Sequence, residues 1–146
     1  MMNGITSFKD EYFFLSNYYE IPVTYNGVTY QSSEAAYQAQ KCPERIPEFV
    51  NLTPDQSKHY ARKLPLRKDW EQVKVRIMTE IVREKFTNPE MREKLLGTGN
   101  AYLAEGNTWG DRIWGTVDGQ GQNLLGQILM QVRNEIRNEL SITYKY

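Results

Sequence analysis

"IPVTYNGVTYQSSEAAYQAQK", Ile21 to Lys41, is the stretch whose reading decides the fold. Its first half holds two short runs rich in β-branched and aromatic residues, joined by Asn26-Gly27. A two-residue type I′ turn needs positive φ at both central positions, which asparagine and glycine tolerate, so the pattern predicts a β-hairpin. Pro22 lacks a backbone N–H and puts the first run at a sheet edge. The second half changes period. Ser32 and Ser33 are N-cap candidates, and "EAAYQAQK" continues as helix.

Helical signals dominate the rest of the chain. Thr53-Pro54-Asp55-Gln56 combines a cap, a proline at the first helical position and a capping-box glutamine. Asp69 with Gln72 offers a similar start. The helix that follows carries Val73, Ile77, Ile81 and Val82 on one stripe, then Phe86. Asn88-Pro89 stops it and opens a short helix ending at Gly97. "NAYLAEG" has the composition of a short strand. In the last helix Leu124, Leu125, Ile128, Leu129, Val132 and Ile136 recur at helical spacing, with Arg133 and Arg137 expected on the wetter side. The sum is an α+β fold, mainly α-helical, with a small N-terminal β-hairpin sheet in one compact domain over residues 1–146.

Composition bounds the function. Residues number 146, enough for one domain with a sizeable core. Basic and acidic side chains balance at 18 each. That excludes a protein whose main work is gripping a long phosphate backbone, yet leaves room for one nucleotide or a short nucleic-acid end in a pocket. Cys42 is the only cysteine, so there is no internal disulfide, which fits a reducing cytosol. The N-terminus shows no signal-peptide core and no apolar run spans a membrane, so a cytoplasmic protein without a membrane partner is expected. The single histidine, His59, lies in a polar helical segment and reads as solvated; no His/Cys metal spacing exists, and no metal is expected.

Three groups of residues suggest chemistry. Residues on a helix turn by roughly 100° each, so Glu34, Tyr37, Gln38 and Lys41 share one face. Glu34 and Lys41 are separated by about 10 Å of rise, and both side chains are long enough to reach one ligand. A solvated helix face with a carboxylate near its N-terminus is the plainer reading. The second group is "NTWGDRIWGTVDGQGQN", Asn107 to Asn123. It is long for a loop in a compact domain, and its two tryptophans argue against disorder. Trp109 and Trp114 are either core plugs or flat walls for a ring, and Asp111 is an acceptor for ribose hydroxyls or water. Gly110, Gly119 and Gly121 permit close backbone approach, and "GQGQN" before a strong helix offers N–H groups to a phosphate. The match to a dinucleotide fingerprint fails, since Leu124 stands where a third glycine is required. Asp118 reads as a turn residue. Third, Ser16 and Asn17 sit inside the aromatic run "FFLSNYY", where a polar side chain needs a partner. Trp70 follows a helix cap and reads first as core.

Together "YFFLSNYYEIPVTYNGVTYQSSEAAYQAQK", "LRKDWEQVKVRIM" and "NTWGDRIWGTVDGQGQNLLGQILMQVR" resemble the NADAR (YbiA-like) family over nearly the whole chain. The resemblance implies a compact, mainly α domain with N-glycosidase chemistry on ribosyl compounds, needing no cofactor. Its members remove ADP-ribose from guanine of nucleic acid, or hydrolyse reactive riboflavin-pathway intermediates at a ribosyl C–N bond. The family acid matches Glu34, the motif lysine Lys41, the motif tryptophan Trp70, the "WGD" aspartate Asp111 and the "LSN" asparagine Asn17. Ala35 departs from the histidine often found after the glutamate. The implied catalytic set is Glu34, Lys41 and Asp111. Substrate contacts are expected from Asn17, Tyr37, Trp70, Trp109, Trp114, Gly110, Gly119, Gly121 and Asn123, with the loop and the Glu34 helix walling one pocket. Glu34 would stabilise charge at the anomeric carbon. Lys41 would act as a Schiff-base nucleophile or a phosphate anchor. A module that binds ADP-ribose or NAD without cutting is the rival from another class.

Overall fold

The computed structural model describes residues 4–145 and divides into two compact units. One runs from Asn17 to Lys85; the other combines the chain up to Ser16 with everything from Phe86 onward.

The Asn17–Lys85 unit is built around the hairpin that the sequence predicts. Strand β2 (Glu20–Tyr25) pairs antiparallel with β3 (Val28–Ser32). Asn26 and Gly27 take φ of 50° and 80°, as a type I′ turn requires. The register shifts between Glu20 and Val23, so the irregularity falls around Pro22, where an N–H is missing. Val23, Tyr25, Tyr30 and Ser32 are buried. Ser32 caps helix α1 (Ser33–Ala39) by accepting from the Ala35 N–H at 3.1 Å. Helix α2 (Pro54–Ala61) begins with the full Thr53–Gln56 capping box. Helix α3 (Trp70–Lys85) buries Ile77, Ile81 and Val82 as the stripe predicts. Its start differs from the expected cap: the Asp69 carboxylate takes the Arg67 guanidinium at 2.6 and 3.0 Å, a charge-assisted pair. Helix α1 packs against both strands, α2 and α3.

Lys85 ends α3 and is 2% exposed, with its ammonium 5.8 Å from the Tyr19 ring centre. Burial lowers its pKa from 10.5 to about 7. Between those values the unfolded chain binds more protons than the folded one, so stability rises with pH across that window. Below it both states are protonated and the full cost of burying the charge applies. We expect the melting temperature of the wild type, measured against Lys85→Met, to climb from about pH 7 to about pH 10. Each pH unit recovers at most about 1.4 kcal/mol. A constant difference between the two proteins would reject this assignment.

In the other unit, helix α4 (Pro89–Leu96) is capped by Asn88, whose side chain accepts from Met91 N–H. The "NAYLAEG" strand is β4 (Tyr102–Leu103), and it pairs parallel with β1 (Gly4–Ile5), a strand without a sequence signal of its own. Helix α5 (Leu124–Lys145) packs against α4 and β4. Its apolar positions from Leu125 to Ile136 are buried as expected. Arg133 corrects the expectation of a wetter side. It is 5% exposed and donates to Thr98 Oγ1 at 2.8 Å, since a long guanidinium can be buried when a partner is in reach. No helix among the described residues is long and apolar enough to cross a membrane.

Candidate active site

The α1 face is assembled from below by Asn17. This residue is 8% exposed, and its Oδ1 accepts from Ser33 Oγ at 2.8 Å while its backbone carbonyl accepts from the Glu34 N–H at 3.1 Å. Its amide nitrogen contacts the Met78 sulfur at 3.5 Å. Asn17 therefore fixes where α1 begins, and through that where Glu34 points.

Glu34 is half-buried in the first turn of α1, where the helix dipole favours a carboxylate. Gln38, one turn later and buried, donates its side-chain N–H to Glu34 Oε2 at 2.6 Å. The other end of that amide, Oε1, is buried without a donor among the described residues. One rotamer of Glu34 is thus held from inside the unit.

Lys41 does not lie in α1 itself. The helix ends at Ala39, Gln40 caps it, and the Lys41 N–H closes a tightened turn on the Gln38 carbonyl at 3.2 Å. Its ammonium lies 5.7 Å from the centre of the Tyr37 ring and 5.8 Å from that of Trp70. Those two rings are themselves 5.2 Å apart and tilted by 56°. Both are buried, so the aromatic pair is at once core and floor of the site. Burial pulls the Lys41 pKa below the ordinary lysine range. The Glu34 carboxylate opposes this, while Arg62, Lys58 and Lys74 add to it. Tyr18 completes the group: burial, then the negative charges of Glu34 and Asp55, push its phenol up to about 12. It stays a neutral donor, and it reaches Asp55 Oδ1 at 3.4 Å.

The unit containing the tryptophan loop uses most of its predicted residues as scaffold. Asp111 Oδ1 accepts from the N–H groups of Ile113 and Trp114 at 3.0 and 2.9 Å. Asn107 clamps both backbone groups of Asp111. Asp118 and Gly119, at φ of 53° and 77°, form the turn between Val117 and Gln120. Gly110 and Gly121 also have positive φ. Trp114 is partly buried, whereas Trp109 is 62% exposed, so only the first resembles a plug. Asn123 is buried; its amide accepts from Glu105 N–H at 3.1 Å and donates to the Leu103 carbonyl at 2.9 Å. A cavity of about 390 Å³ opens on this unit beside Thr6, Lys9, Thr116, Asp118 and Gly119.

The start of α5 is not the phosphate cradle that the sequence suggests. The N–H groups of Asn123, Leu124 and Leu125 are taken by the carbonyls of Gly115, Ile113 and Trp114. A helix N-terminus binds an anion through free N–H groups, and the loop itself occupies these three.

Sequence reading found Glu34, Tyr37, Lys41, Trp70 and Asn17, which the Asn17–Lys85 unit brings together. It missed what Gln38 does, and it missed Tyr18, Lys58 and Arg62. Lys58 and Arg62 did carry a signal, the one-turn spacing in "SKHYAR", but which side of α2 meets α1 is not encoded in that spacing.

Comparison with known proteins shows the family and the fold. Residues 6–137 match the model of the NADAR domain. N-glycosidase YbiA of Escherichia coli is 36% identical, the match covering 91% of this chain and 87% of that protein. A riboflavin biosynthesis protein of Vibrio vulnificus is 39% identical over 85% of this chain, which spans only 35% of that relative's length. The NMR structure of Escherichia coli YbiA superposes with a TM-score of 0.82, covering 95% of this chain and 88% of that one at 34% identity.

Proposed function

This chain belongs to the NADAR domain family, and from that premise we propose that it is an N-glycosidase cleaving the C–N bond at the anomeric carbon of a phosphorylated ribosyl substrate. ADP-ribose joined to guanine is the leading substrate. The observation that supports this best is the α1 face. A carboxylate held by Gln38 and a partly desolvated amine seated on two aromatic rings stand on the same short segment.

The chemistry follows from those two groups. Loss of the leaving nitrogen develops positive charge at C1 of the ribose, which the Glu34 carboxylate stabilises. The free amine of Lys41 attacks C1 as the bond to the leaving nitrogen breaks and that nitrogen takes up a proton. The C1–O4 bond of the resulting Lys41 ribosylamine then opens, O4 takes up the proton that the lysine nitrogen gives up, and a Lys41–C1 imine forms. Water then adds to C1, the imine hydrolyses, and the amine is regenerated. One water is consumed and one C–N bond is lost. A free amine is required, and burial beside other cations favours it.

A second substrate class is supported by the Vibrio relative's name: ribosylamine intermediates of riboflavin synthesis. Chromatography after incubation with ADP-ribosylated guanosine, with NAD and with riboflavin-pathway ribosylamines tests the proposal. Release of the base or amine from at least one is expected. Binding of ADP-ribose with no cleavage of any of the three would replace the enzyme reading with that of a binding module.

A further inference from the structure

Basic side chains of its own unit surround the Glu34–Lys41 face, and two of them make no ion pair among the described residues. Lys58 and Arg62 lie one helical turn apart at the end of α2, the helix packed on α1. Lys74 lies one turn beyond Trp70 on α3, the other helix packed on α1. All three cations are close enough to Lys41 to disfavour its charge, and Arg62 is felt by Tyr18 as well.

The carboxylates beside this set are Glu34 and Asp55, and none of the ion pairs among the described residues joins either of them to Lys58 or Arg62. Lys74 is held by Glu71 at 2.9 Å. Asp55 faces His59 at 3.3 Å and accepts from Tyr18. Lys58 and Arg62 have no ion-pair partner among the described residues. A helix C-terminus favours cations, which accounts for α2 ending in basic residues. It does not account for Lys41, just beyond α1, and Lys74 of α3 being within electrostatic reach of the same group. Like charges gathered in one place disfavour one another, and an anionic group that joins them relieves this.

We infer that Lys58 and Arg62 form the phosphate-binding subsite of the Glu34–Lys41 site, taking the phosphate oxygens carried by a ribosyl substrate. Arg62 supplies a planar fork that can grip two oxygens of one phosphate, and Lys58 supplies a point charge beside it. The inference deepens the proposed function and rests on it for the identity of the ligand. In this arrangement α1 and the turn after it carry the reacting groups, and α2 sets the preference for phosphorylated over unphosphorylated ribosides.

Calorimetry with inorganic pyrophosphate and with ADP-ribose tests this without requiring turnover. The probes are applied to the wild type, Arg62→Gln, Lys58→Gln and the control Lys63→Gln, an exposed neighbour outside the group. Each of the first two substitutions is expected to weaken both ligands by about tenfold or more, the scale of a lost charge-assisted contact. Lys63→Gln is expected to bind like the wild type. With a cleaved substrate, Arg62→Gln should raise KM while kcat changes little, and its defect should vanish on an unphosphorylated riboside. Wild-type affinity for both probes in the Arg62 and Lys58 variants would overturn the subsite, whatever the enzyme cleaves. Pyrophosphate binding that depends on Arg62, with no cleavage of any N-glycoside, would sustain the subsite and reject the proposed reaction. Equal weakening by Lys63→Gln would show a diffuse surface effect and also overturn it.

Discussion

Glu34→Gln is expected to lower turnover by roughly 10²–10⁴-fold or more while leaving a folded protein that still binds product. The side chain keeps its size, and its amide oxygen can still accept from Gln38, so the local geometry that the 2.6 Å contact maintains should survive. What disappears is the negative charge facing the anomeric carbon and any useful basicity. Removal of charge stabilisation in the transition state adds to the loss of a positioned acid–base group. Steady-state kinetics paired with a melting curve checks both halves of the expectation. Near-normal kcat in this variant would remove the catalytic role from the α1 face. Loss of product binding together with turnover would instead make Glu34 a binding residue.

Lys41→Ala is expected to be as slow or slower. Removing the nucleophile leaves only charge stabilisation and binding, and in serine proteases the comparable deletion costs on the order of 10⁶-fold in kcat. Folding should be spared, because a partly desolvated ammonium contributes little that an alanine forfeits. Lys41→Arg separates roles. An anchor for phosphate tolerates arginine, whereas a nucleophile does not, since a guanidinium has no free amine at any accessible pH. The pH profile carries a further sign. Because burial lowers the Lys41 pKa, the ascending limb of kcat/KM, where the amine loses its proton, should have its midpoint below the ordinary lysine value of 10.5. A limb at or above that value would contradict the free-amine mechanism.

Much of this was legible in the chain, for physical reasons that differ between elements. Asn26-Gly27 announced the hairpin because few other pairs accept two positive φ values in succession. Thr53, Asn88 and Ser32 announced helix starts because a side-chain oxygen can satisfy an orphan N–H locally. These are short-range interactions. What stayed hidden depends on distant partners. Strand β1 exists only by pairing with β4, nearly a hundred residues away in sequence. Arg133 is buried only because Thr98 meets it. The N–H groups that seemed free for a phosphate at the start of α5, those of Asn123, Leu124 and Leu125, are taken by the carbonyls of Gly115, Ile113 and Trp114, through a loop path that no periodicity reveals. Within the site, the face shared by Glu34, Tyr37 and Gln38 followed from helical geometry, while the seat of Lys41 on Trp70 needed the packing of α3 on α1.

Trapping with sodium borohydride tests the central claim most directly. The reductant is added during turnover of ADP-ribosylated guanosine, and the intact protein and its peptides are weighed by mass spectrometry. One sugar adduct per chain is expected in the wild type, on the peptide containing Lys41. None is expected in Lys41→Ala. Continued cleavage of the substrate by the wild type with no adduct at Lys41, or the same adduct in Lys41→Ala, would contradict it.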